Sequence, residues 1–422
     1  MEPGQREVHL DHDLAIPLDL DAEDVEIFSD DDLESSEDTT AQQVMEGKDL
    51  QGIPWRRLRM SREGYRATRL HNYKNYVNVE VPLEKLRSTC KEVEKGHRLF
   101  DFYHNTRKVQ SSIVHFQLRN LMSSTTKHDV YVNHRNRIQH FSDVTRKNTT
   151  VLDVSGMSRE PGARWGHVQV CTMNMGRGLL VVGGFHGDMV VKSTENGCTS
   201  YCHVTHNDNG ITNAVDITTS PSGAEQIVTS NNDAAVRVFD AATLKCAQKA
   251  DFSWAVNYTA CNPADPSLMC VVGDDPEIAL VDKASGKRVS TLQGHYDFSF
   301  AAAWHPNGKV LATGNQDTTT RLWDIRYPGA ALATLGGRMG AIRSLRFSGD
   351  GRFLAMAEPA DFVHIFDTHA DYSHSQEIDI FGEIAGCSFS PDSEAFFICV
   401  SDMTYSSLLQ FHRPRSPAPV FF

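Results

Sequence analysis

The densest group of metal-binding side-chain types in this chain is Cys198, Cys202, His203 and His206, within CTSYCHVTH. Two thiols and two imidazoles suit zinc, which takes four such ligands in a tetrahedron. The spacing works against it, because on an extended strand residues 198 and 202 share one face while 203 points to the other. No metal site is expected there. His295 and Asp317 are the residue types of a general base and its orienting carboxylate, but a hydrolase would need a nucleophile beside them. No GxSxG, HExxH, phosphate loop or dinucleotide fingerprint accompanies them. The glycines of VVGGFHGD (181–188) suit a turn between strands better than a nucleotide cradle. The chain is therefore expected to have no catalytic residues and no cofactor, which leaves a hydrolase as the weakest reading.

What remains as chemistry is charge. The 422 residues carry a formal net charge of −13, and residues 1–50 alone hold 17 acidic against 2 basic side chains. That segment reads as a disordered acidic tail. Within it FSDDDLESSED (28–38) places Ser29 and Ser35 three residues ahead of an acid, a context for acidophilic kinases. Val25-Glu26-Ile27-Phe28 has the pattern of a strand that adds to a partner's sheet. From Pro54 to Lys74 the sign reverses: Arg56, Arg57, Arg59, Arg62, Arg66, Arg69 and Lys74 face only Glu63. Trp55, Tyr65 and Tyr73 are interleaved with them, so residues 51–97 are expected to pack on the folded body. Their charge is expected to face protein rather than nucleic acid.

Nine cysteines without a CxxC pair, and no apolar N-terminal segment, point to a reducing compartment, cytoplasmic or nuclear. The longest apolar runs, such as 178–185 and 395–400, fall far short of the ~20 residues that span a bilayer, so no membrane insertion is expected.

The elements that must position all of this show as a repeat. Phe239-Asp240, Val281-Asp282, Trp323-Asp324 and Phe366-Asp367 each end a short alternating run, and their aspartates are 42, 42 and 43 residues apart. A second aspartate precedes each by seven residues at Asp233, Asp275 and Asp317, and by six at Asp361. Runs such as KVLATGNQDTTTRLWDI (309–325) read as two strands around a polar turn. A period near 42 with four strands per unit indicates a propeller blade rather than a helical solenoid. Counting outward places blades near 115–157, 168–206, 211–250, 255–293, 297–336, 340–380 and 384–413. The last is one strand short, and Arg98–His104 (RLFDFYH) is the expected closing strand. The expected organisation is an acidic tail (1–50), an extension (51–97), an all-β seven-bladed propeller (98–413) and a C-terminal tail (414–422).

The unit GHYDFSFAAAWHPNGKVLATGNQDTTTRLWDIR (294–326) resembles the WD-repeat pattern nearly end to end. The resemblance implies a buried hydrogen-bonded tetrad of His295, Thr313, Asp317 and Trp323, and the donors and acceptors of these groups permit it. Longer runs are similar to a narrower group of uncharacterised plant and fungal WD-repeat proteins. They include GIPWRRL (52–58), VHFQLRNL (114–121), GHYDFSFAAAWHP (294–306) and MAEPADFVHIFD (356–367), and that group offers no activity to carry over. Trp323-Asp324-Ile325-Arg326 resembles the WDxR motif of receptors that dock on cullin–RING ubiquitin ligases, which implies that Arg326 is free to reach a ligase adaptor. The turns between second and third strands carry Asp188, Asn232, Asp233, Asp274, Asp275, Glu277, Asp317, Glu358, Asp361 and Asp402, so one rim is expected to be acidic and to attract basic peptides. Asp274, Asp275, Glu277, Glu358, Asp361 and Arg326 are thus the expected partner-binding residues of a non-enzymatic scaffold for proteins or peptides.

Overall fold

The structure, a computed structural model, describes residues 38–157 and 168–414. Strands form where β-branched and aromatic residues alternate with polar ones. In Val310–Asn315 and Thr319–Asp324 the alternation buries Leu311, Leu322 and Trp323 completely. The turn between these strands puts Thr318 at φ 67°, and the matching turn of other blades has Arg135, Gly187 and Ala234 in the same left-handed region. Glycine enters that region freely, and the other three do so at about 1 kcal/mol each, which the hairpin's hydrogen bonds must offset.

Four-stranded antiparallel sheets run through residues 122–153, 170–203, 212–251, 256–292 and 299–336, which are blades 1 to 5. Blades 6 and 7 share one long strand, His374–Phe389. Its first half is the outermost strand of blade 6 (344–379), paired with Ala360–Asp367. Its second half is the innermost strand of blade 7 (383–412), paired with Ala395–Ser401. Each innermost strand packs against the next, and the series closes into a ring around a central channel. The molecule is a seven-bladed β-propeller with its apolar core sandwiched between successive blades, as where Cys270, Val272 and Leu280 of blade 4 meet Ala302, Leu311 and Trp323 of blade 5.

Closure comes from the N-terminal side. Asp101–Thr106 pairs antiparallel with Ser407–His412 and completes blade 7. The strand begins three residues beyond the expected Arg98, because Phe100 is 1% exposed and anchored among Phe353, Phe389 and Phe396 before pairing starts. The tail boundary expected at residue 50 also moves. Thr39–Thr40 adds to the edge of the closing strand, opposite Asn105 and His104, and a capping box of Thr40 and Gln43 starts helix α1 (Ala41–Met45). An unpaired strand edge attracts such a segment because it presents a row of free donors and acceptors. Ser29, Ser35 and the run 25–28 lie outside the described residues.

Residues 51–97 form a strap across one face. Gln51 exchanges two hydrogen bonds with the backbone of Phe381, and Trp55 and Tyr65 pack against the Phe381 ring. Helix α2 (Arg62–Asn72), capped by Ser61, lies over blades 6 and 7. Asn75 and Asn78 then reach blade 5 at Gln316 and Asp297. Beyond helix α3 (Leu83–Ser88), Glu94–Lys95 runs parallel to the outer strand of blade 6 and leads to the closing strand. No helix of the described residues is long and apolar enough to cross a membrane.

Candidate partner-binding site at the channel mouth

The expected acidic rim is largely neutralised from within. In blade 5, Trp323 Nε1 donates to Thr313 Oγ1 (2.8 Å), whose hydroxyl lies 2.9 Å from His295 Nε2, and His295 Nδ1 lies 3.0 Å from Asp317. Indole can only donate and carboxylate only accept, so each proton has one place to go: Thr313 donates to His295, and His295 to Asp317. Burial pushes the Asp317 carboxyl up, but His295 and the bonds from Thr319 and the Tyr296 amide hold it below its ordinary value. Turn acids of other blades are matched differently. Asp233 takes a two-pronged bond from Arg237 and another from Thr205, and Asp188 takes the Tyr201 hydroxyl.

Two of the expected partner-binding acids are removed from the surface altogether. Glu358 is 0% exposed, bound by His364 and by the amides of Arg338, Met339 and Gly340. Asp361 is also 0% exposed, gripped by Arg66 and by both arms of Arg69. Asp274 accepts from Asn257 Nδ2 (2.8 Å), and burial pushes its carboxyl up. Asp275 folds onto the amide of Glu277, and Glu277, half exposed, accepts from Gln293 and pairs with Arg288. Asp402 likewise caps its own turn through Thr404 and Tyr405. An acidic rim that recruits basic peptides is therefore not what this face offers, because the acids serve turns, blades and the strap.

The open ground beside the strap is cationic. Arg69, Asn72, Tyr73, Lys74 and Tyr76 of the strap and Phe116, Arg119, Gln316, Arg343 and Glu383 of the ring enclose a cavity of about 260 Å³ at the channel mouth. Arg119 and Arg343 are 2% and 3% exposed. Arg343 donates to Gln316 Oε1 (2.6 Å) and its guanidinium carbon sits 3.9 Å from the Phe300 ring centroid, while its Nε and Nη1 have no partner. Arg119 reaches the His115 carbonyl at 3.4 Å and stands 3.6 Å from Glu383, and its Nε is also without a partner. Burial, then the charge of Arg119, pushes the Arg343 guanidinium down to about 9. Burial and the same two arginines push His115 down to about 4, so it stays neutral at pH 7. At this mouth Tyr76 and Phe116 are exposed aromatic side chains.

Sequence reasoning missed Arg119 and Arg343, although a signal existed. The innermost strands of blades 3, 4 and 5 each bulge where they begin, at Asn213, Asn257 and Phe300. Asn213 and Asn257 use the bulge to donate to the next blade's innermost strand. Arg343 follows in the same register in blade 6. Reading the repeat at the strand start rather than at the hairpin turn exposes the change of residue type.

The remaining candidates separate clearly. The Arg326 guanidinium is not free as expected, since Nε and Nη2 both bond to Asp324 (2.9 and 2.6 Å), with the side chain 55% exposed. Gly183 packs so tightly that an added Cβ would sit 2.6 Å from Thr212 and 2.7 Å from Thr172, which explains the glycines of VVGGFHGD by packing. Cys198, Cys202, His203 and His206 form no convergent ligand set among the described residues, whereas Glu94, His97 and His374 bring three ligand atoms within 4.8 Å of one another. The parallel pairing of Glu94 with His374 makes that juxtaposition, and a separation of 280 positions along the chain hides it from the sequence.

The family model described as "WD domain, G-beta repeat" matches residues 286–324. Over 151 residues the chain is 26% identical to the "Anaphase-promoting complex subunit cdc20" of Dictyostelium discoideum, covering 34% of this chain and 29% of that protein. Over 105 residues it is 27% identical to the "DDB1- and CUL4-associated factor 10" of Xenopus tropicalis, covering 25% and 23%. The matches thus span less than a third of these relatives' own length. Among solved structures, a chain of the "Crystal Structure of Mitotic Checkpoint Complex" superposes with a TM-score of 0.58 at 16% identity, over 73% of this chain and 93% of that one. That likeness concerns the fold alone.

Proposed function

Since the chain belongs to the WD-repeat proteins, we propose that its propeller is a non-enzymatic platform that seats a protein partner over the channel mouth beside the strap. The observation that supports this is one of composition and place. Exposed Tyr76 and Phe116 line a cavity that Arg119 and Arg343 also line, on a face where Asp317, Glu358 and Asp361 are already matched. Aromatic anchors around a polar centre are the composition of interface hot spots. The partner's contribution is an apolar side chain for the rim and an acidic group for the floor, which reverses the charge expected from the turns.

Affinity capture from lysate with the full chain tests the reading. The wild type and a Val289→Ala control, altered on the outer strand of blade 4, should return the same reproducible partner. Tyr76→Ala and Phe116→Ala should lose it. Equal recovery by all four proteins would refute the site, and no reproducible partner at all would refute the platform.

A second reading, a substrate receptor of a ubiquitin ligase, draws on the similarity to the DDB1- and CUL4-associated factor and on the exposed Arg326. It requires the ligase adaptor to co-purify and Arg326→Ala to abolish that association. Unchanged co-purification would reject Arg326 as the docking residue.

A further inference from the structure

We propose that the cavity at the channel mouth is a phosphoryl-anion site, in which Arg119 and Arg343 hold the oxygens of a phosphate monoester or of free phosphate and Lys74 covers it from the strap. The site shares its place with the partner reading but does not depend on it, because a free anion can bind where no protein docks.

The argument begins with what buried charge requires. A desolvated guanidinium costs several kcal/mol unless a counter-charge and hydrogen bonds compensate. Elsewhere on this face compensation is present: Arg66 and Arg69 share Asp361, Arg66 adds Asp379, and Arg237 has Asp233. At the mouth two guanidiniums are equally buried; Glu383 stands 3.6 Å from Arg119, Asp297 and Asp274 act on Arg343 only at longer range, and none of the three is hydrogen-bonded to either arginine. Their three unpartnered atoms, Arg119 Nε and Arg343 Nε and Nη1, are N–H donors.

The chemistry of those donors selects the ligand. Forked guanidinium N–H groups match the tetrahedral oxygens of phosphate, and charge-assisted bonds are about twice as strong as neutral ones. A dianion answers two guanidiniums and Lys74 more fully than a monocarboxylate can, with Glu383 beside Arg119 and Asp297 and Asp274 acting on Arg343 only at longer range. Burial pushes Tyr73 up to about 12, so its hydroxyl lines the cavity as a neutral group and adds no opposing charge. His115 is neutral for the reason given above and adds none either. The cavity, about 260 Å³, lies below the roughly 300 Å³ at which drug-sized pockets begin. It admits a phosphoryl group with a small substituent.

Calorimetric titration of the purified full chain with inorganic phosphate and with a phosphoserine tripeptide, at ionic strength held constant with sodium chloride, tests this. One saturable site is expected for at least one probe. Arg119→Gln and Arg343→Gln should each weaken it about tenfold or more. Lys74→Ala, which alters only the exposed strap, should weaken it about threefold, and it keeps the test decisive if an arginine variant fails to fold. Tighter binding of inorganic phosphate identifies a free anion as the ligand, and tighter binding of the phosphopeptide identifies a phosphorylated side chain. No saturable binding of either probe below ~10 mM, or undiminished binding by the variants, overturns the proposal. Partner capture lost while phosphate binding persists, or the reverse, shows which of the two readings has failed.

Discussion

Arg66 and Arg69 on the strap and Arg119 and Arg343 at the channel mouth lie on one face of one molecule and are all largely buried, with side chains 8% and 13% exposed in the first pair and residues 2% and 3% exposed in the second. The first pair is tied to Asp361 and Asp379 through bonds of 2.5 to 2.9 Å. The second pair has three donor atoms with nothing to bond to and no carboxylate in a hydrogen bond, whereas the first leaves only Arg66 Nε without a partner. Desolvation is comparable in both, so it cannot explain the difference. A matched arginine fastens one segment to another, and an unmatched one holds free energy in reserve for a ligand. Buried charge on a propeller is informative only once its partners have been traced.

The strongest way to break this comparison is to convert the matched region into an unmatched one. Asp361→Asn keeps the shape and suits the left-handed backbone at φ 71°, yet takes the carboxylate from Arg69 and leaves Arg66 with Asp379 alone. A loss of about 3–5 kcal/mol is expected in chemical denaturation, together with faster proteolysis of the strap at Arg56–Arg69. Less effect is expected in blade 5, where a carboxylate is matched without an arginine. Asp317→Asn should cost about 1–3 kcal/mol at neutral pH. The folded Asp317 carboxyl titrates below its ordinary 3.8, so its contribution is complete above that value and disappears as pH falls through the lower folded one. The gap between wild type and variant in urea unfolding should therefore narrow in acid, and a gap that widened there would contradict the assignment. Smallest of all, Arg326→Ala should leave Tm unchanged, because its bond to Asp324 is exposed to solvent.

Those three cases also mark how far the sequence could be read. His295, Thr313, Asp317 and Trp323 lie within one repeat, so periodicity and side-chain type together bring them to notice. The closing strand was legible to within three residues, missing only that Phe100 serves as a core anchor before pairing begins. The acidic rim was misread for a physical reason. Asp361 meets Arg66 across 295 residues, and local pattern carries no trace of a pairing at that distance. Turn chemistry was visible in the aspartates, whereas neutralisation was not. The channel mouth is hard to see in the sequence because Arg343 takes a strand-start position held by Asn213, Asn257 and Phe300 in the preceding blades, and Arg119 lies in the loop ahead of the innermost strand of blade 1.

Matched against unmatched burial is tested most directly by removing one arginine of each kind from the full chain in phosphate-free buffer and comparing Tm by calorimetry. Arg66→Met should lower it, since Asp361 and Asp379 lose a partner and the strap loosens. Arg343→Met keeps an apolar stem over Phe300 and relieves an uncompensated charge, so its Tm should equal or exceed that of the wild type. Equal losses in the two proteins would contradict the account, because both arginines would then be structural.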